Sequence, residues 1–66
     1  MSNTAKRLKE LRLKKKEPIT DVATAVGVTP RAIRQYEAGV RVPTDEIKIA
    51  LAKHFDRTVQ YLFFSD

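Results

Sequence analysis

Between Ile19 and Ala38 the sequence carries a spacing that few architectures accept. Val22, Ala23, Val26, Gly27, Val28, Ile33 and Tyr36 fall at offsets that let two short helices cross closely through a tight turn. Val22, Val26, Ile33 and Tyr36 are expected to point inward and lock the pair. Ala23 is small where the second helix presses against the first. Gly27 supplies a backbone angle that a side chain would resist. With 66 residues and no cysteine, the chain has little core to bury and no disulfide to add. Its stability must come from well-capped helices or from a partner.

The rest of the chain divides into short helical stretches by its punctuation. A first helix is expected from about Thr4 to Lys15, capped by Ser2 or Asn3 and stopped by Pro18. Ala5, Leu8 and Leu11 form its apolar stripe, and Lys14, Lys15 and Lys16 sit where cations favour the helix dipole. A second runs from about Thr20 to Val26. A third has Thr29 as cap, Pro30 at its first position and Gly39 at its end. A fourth follows Thr44, with Asp45 and Glu46 in its first turn and Ile47, Ala50, Leu51 and Phe55 as its stripe. Thr58 caps a fifth over Val59 to Phe63, with Leu62 buried. Strand signals are weak throughout, so the fold class is all-α, a compact five-helix arrangement over residues 1–66. The segment at about 19–38 is a helix-turn-helix, the unit that presents its second helix to the DNA major groove.

Charge agrees with an anionic partner. The net charge is +5, and seven of the thirteen Lys and Arg lie between Lys6 and Lys16. Basic charge alone does not separate DNA from RNA or an acidic lipid surface. There is no long apolar run for a membrane span and no apolar core of a signal peptide at the N-terminus, so a cytoplasmic protein is expected. The lone His54 cannot form a metal cluster, and no nucleophile–base set or phosphate loop occurs, so neither enzyme activity nor a cofactor or metal is expected.

Several stretches resemble one family. "RLKELR" (Arg7 to Arg12), "VATAVGVTPRAIRQYEAGVRVP" (Val22 to Pro43), "PTDEIKIALAKHF" and "VQYLF" are similar to the Cro/repressor-type, lambda-repressor-like helix-turn-helix domains of phage and bacterial regulators, the XRE family. The likeness extends from about Lys6 to Phe63. It implies a sequence-specific DNA-binding transcriptional regulator, of repressor type, whose third helix (about 29–38) is the recognition helix. Thr29, Pro30, Arg31, Arg34 and Gln35 are then the candidates for base contacts. Their chemistry suits the role: Arg31, Arg34 and Gln35 share one helix face. Arg can bond guanine O6 and N7 together, and Gln can bond adenine N6 and N7. Phosphate contact is the competing assignment for Arg31 and Arg34. Arg41, Thr44 and Thr20 are candidates for the DNA backbone, and Arg12 and Glu37 for an ion pair that holds the recognition helix on its scaffold.

The sequence also departs from the family. Pro18 and Ile19 stand where a Thr or Ser followed by a phosphate-binding Gln usually opens the second helix, so either that contact is absent or the helix begins later with Thr20 as cap. Arg57 replaces an apolar residue before the last helix. Modules of this kind work as dimers on two operator half-sites, and Val59, Tyr61 and Phe64 are the candidates for a homodimer patch, unless they cover the monomer core. An antitoxin-like protein-interaction module that also binds its own DNA is the alternative function, and RNA binding a third. No small-molecule pocket is evident.

Overall fold

The computed structural model describes residues 3–64, which form five α-helices: α1 (Thr4–Lys14), α2 (Ile19–Val26), α3 (Pro30–Ala38), α4 (Asp45–His54) and α5 (Val59–Phe63). No strand occurs among the described residues. The all-α, five-helix class expected from the sequence is what is observed.

Three of the helices start in the same way. Thr29 Oγ1 accepts from the Ala32 N–H at 3.1 Å, Thr44 Oγ1 from Ile47 at 3.4 Å and Thr58 Oγ1 from Tyr61 at 3.0 Å. Each bond satisfies one of the donors that a first turn leaves without an intrahelical partner. Four helices also end alike, on a left-handed residue: Lys16 (φ 57°), Gly27 (80°), Gly39 (76°) and Asp56 (54°). The next N–H then reaches back to the last turn, Glu17 to Arg12 O, Val28 to Ala23 O, Val40 to Gln35 O and Arg57 to Ala52 O, at 2.9–3.1 Å. This closure occupies carbonyls that would otherwise be orphaned.

Two boundaries differ from expectation. The reversal at Lys16, not Pro18, ends α1. Pro18 is instead the N-cap residue of α2, extended at φ −67° and ψ 155°. Thr20 therefore does not cap that helix. It lies in the first turn, where its carbonyl accepts from Thr24 Oγ1 at 3.0 Å. At the start of α1, Ser2 lies outside the described residues, and Asn3 holds the cap position without a side-chain hydrogen bond. Thr4 Oγ1 instead donates to Leu62 O at 2.8 Å, which pins the start of α1 to α5.

The core is one cluster. Leu8 of α1 meets Val22, Ala23 and Val26 of α2, Ala32, Ile33 and Tyr36 of α3, Leu51 and Ala52 of α4, Phe55, and Leu62 of α5. The expected inward residues of α2 and α3 are all in it, and Ala32 and Ala52 join them. Val28, Ile47, Ala50, Val59 and Phe63 are half-buried around it. At the corner before α5, Arg57 turns its guanidinium onto the carbonyls of Phe55 and Asp56 at 3.4 and 3.0 Å.

Candidate nucleic-acid interface

Helix α3 is held by one side. Ala32, Ile33 and Tyr36 are buried, so the opposite side faces outward and carries Thr29, Arg31 and Arg34 in the open, with Pro30 and Gln35 half-covered. Arg31 and Arg34 make no hydrogen bond or ion pair with the described residues, so their guanidinium donors are available to an external acceptor. Gln35 differs: its Oε1 accepts from Arg41 Nη1 at 3.2 Å. Arg41 also stands over the Tyr36 ring at 5.7 Å. The exposed surface of α3 thus runs without interruption into the loop before α4.

An ion pair fixes the end of α3 to α1. Arg12 Nε donates to Glu37 Oε2 at 2.7 Å, and Nη2 to Oε1 at 3.1 Å. Both side chains are largely covered, at 11% and 8% exposure. The planar fork matches the carboxylate. Arg12 Nη1 also donates to Glu17 O at 3.1 Å, so one guanidinium joins α1, the α1–α2 loop and α3. The hydrogen bond to Glu37, against the opposing effect of burial and with the help of the nearby charge, holds the Arg12 pKa above its usual value.

A second polar cluster lies on the α1–α2 loop. Both Glu17 carboxylate oxygens are near His54 Nε2, at 2.8 and 2.9 Å, and Lys15 Nζ is 3.2 Å from Oε1. Nε2 must carry a proton to face two carboxylate oxygens. Lys15 also donates to His54 O at 3.1 Å. Burial pushes the Glu17 pKa up, but the hydrogen bonds from His54 and Lys15 and their charges outweigh it, so the net shift is below the usual 4.5. Such a lowered carboxylate favours the folded state above its unfolded value, and that contribution is lost as pH falls through the folded value. Thermal melts from pH 6 downward are therefore expected to show a fall in midpoint beginning near the usual carboxylate value, smaller in Glu17→Gln. Parallel curves for both proteins would show that the cluster carries no such stability.

The other expected positions are spread around this face. Thr20, Arg41 and Thr44 are exposed, with Thr44 Oγ1 already engaged in its cap. Val40 and Val42, which the sequence did not single out, flank Arg41 at 74% and 75% exposure. Of the residues expected in a homodimer patch, Val59 is half-buried against the core, and Tyr61 and Phe64 are exposed at 42% and 63%. Arg7 donates to Tyr61 O at 2.9 Å and lies 5.0 Å from its ring, and Lys48 is 5.2 Å from the Phe64 ring. The described residues contain no group of His, Cys, Asp and Glu that could hold a metal ion, and no helix long and apolar enough to cross a membrane.

Three comparisons bear on this geometry. The family model described as helix-turn-helix matches residues 8–62. Among solved structures, the chain is similar to the P22 c2 repressor crystallised in complex with a synthetic operator, with 30% identity, a TM-score of 0.91 and 96% of each chain covered. The curated proteins give no match.

Proposed function

Since the chain belongs to the helix-turn-helix family, in its Cro/repressor (XRE) type, we propose that it binds double-stranded DNA sequence-specifically and regulates transcription as a repressor, with α3 in the major groove. The observation that carries this is the outward side of α3: two arginines without internal partners, on a helix fixed from behind by the core and by the Arg12–Glu37 pair. Arg31 and Arg34 read base edges from there, and Gln35 completes the face. Thr29 and Pro30 lie at the entry of the helix, where Pro30, with no N–H to donate, offers only apolar contact such as a thymine methyl. Thr44 and Thr20, with the Arg41 donors that are not turned to Gln35, are assigned to phosphates, contacts that set register without themselves carrying sequence information.

A module with so few base contacts works best as a homodimer on two half-sites about one helical turn apart. Tyr61 and Phe64 are the exposed residues from which we would build its contact. The protein then acts on DNA in the cytoplasm, and no chemistry beyond binding is assigned to it.

Selection from random duplexes, followed by titration of the selected site, tests the reading. Arg31→Ala and Gln35→Ala are each expected to weaken that site by about 10- to 100-fold, the value of a lost base contact, while thermal midpoints stay near wild type because neither side chain belongs to the core. Normal binding by both variants would remove α3 as the reading helix.

A further inference from the structure

Resting on the reading of α3 as the recognition helix, the geometry points to Arg41 as a positioning residue for Gln35: it turns the amide so that Gln35 meets a base pair as a donor and selects an acceptor-only edge, guanine foremost. The orientation follows from chemistry. A guanidinium has donors and no acceptor, so the Gln35 atom 3.2 Å from Arg41 Nη1 must be Oε1. The Nε2 end, with its two N–H donors, is left for another partner.

Arg41 is delivered to this place by the backbone. Gly39 adopts φ 76°, and the Val40 N–H then closes on Gln35 O at 3.1 Å. The chain thus returns to the residue from which the turn began, and Arg41 follows directly. The guanidinium carbon also lies over the Tyr36 ring, 5.7 Å from its centre.

The consequence reverses the adenine preference expected of Gln35 from residue type alone. Pairing with adenine requires Oε1 to accept from the N6 amino group. Here one of the two lone pairs of that oxygen already accepts from a cation, so an incoming amino donor has to share the oxygen with a guanidinium N–H that carries the same sign of charge. Guanine offers N7 and O6, both acceptors, to the amide N–H donors of Gln35. Thymine O4 offers one acceptor and ranks second. An exposed hydrogen bond of this kind is weak in water, but it strengthens where an interface excludes solvent.

The test uses duplexes carrying each of the four base pairs at the position whose preference Gln35→Ala abolishes, titrated over a salt series with wild type, Arg41→Ala and Arg41→Lys. Wild type is expected to favour guanine over adenine. Arg41→Ala is expected to move the guanine-to-adenine ratio toward adenine by about tenfold, the scale of one base contact. Arg41→Lys retains the charge and hence the salt slope, but lacks the planar fork, so the ratio moves the same way. A wild-type preference for adenine overturns the inference. So does an Arg41→Ala variant that weakens all four duplexes equally, because a phosphate contact alone does that. A wild-type chain with no duplex affinity at low salt would instead bring down the DNA-binding reading itself, and this inference with it.

Discussion

Glu37→Ala is expected to lower the thermal midpoint by roughly 12 °C or more, in the absence of any DNA. The substitution strips Arg12 of both carboxylate contacts, at 2.7 and 3.1 Å, while the guanidinium stays largely covered. Breaking a buried pair from one side costs about 3–5 kcal/mol, because a charge remains without its partner. A domain of this size has only roughly 3–10 kcal/mol in total, at about 0.05–0.15 kcal/mol per residue. The damage spreads further than one contact, since the same Arg12 also donates to Glu17 O and so steadies the α1–α2 loop. Differential scanning calorimetry at neutral pH is the direct check. A midpoint within a few degrees of wild type would mean that the pair is an ornament of the surface. Arg12→Lys is a useful companion: it keeps the charge and loses the fork, so it should fall between the two.

The second large effect belongs to Leu62. Five residues make α5, far fewer than the ~12–15 an isolated helix needs to be even marginal in water. Its structure therefore depends on docking. Leu62 is the docking residue, fully buried at 0% exposure against α1 and α4. Leu62→Ala is expected to cost about 2–5 kcal/mol through lost burial and the cavity left behind, and to release the Thr4–Leu62 hydrogen bond that ties the two ends of the fold. Much of the population should be unfolded at 37 °C, visible as lost helical circular dichroism. Leu62→Met, which conserves volume, should cost less than about 1.5 kcal/mol. If the alanine variant melts like wild type, α5 is not held in the way described.

What the sequence revealed and what it hid divide along physical lines. The starts of α3, α4 and α5 were legible because a threonine side chain performs each cap. The ends of α2 and α3 were legible because glycine is the usual residue at positive φ. The end of α1 was not: Lys16 takes the left-handed angle without being glycine, and nothing in its identity announces this. The start of α2 misled for the opposite reason, since Pro18 occupies a cap position with no side-chain cap to give, and Thr20 is the better cap by type. Of the site, the helix face could be read from periodicity, because Arg31, Arg34 and Gln35 are neighbours on any helix. The Arg41–Gln35 bond and the Glu17–His54–Lys15 cluster could not. They depend on how loops return in space, and periodicity is silent about that.

Because α3 is gripped from within by Ala32, Ile33, Tyr36 and Glu37, its outward arginines owe nothing to the framework. Positions 31 and 34 can then be rewritten without asking the rest of the molecule to adjust. On the reading proposed for α3, a scaffold of this sort lets target preference drift while the shape stands still, because those two side chains can be swapped without touching what holds the helix.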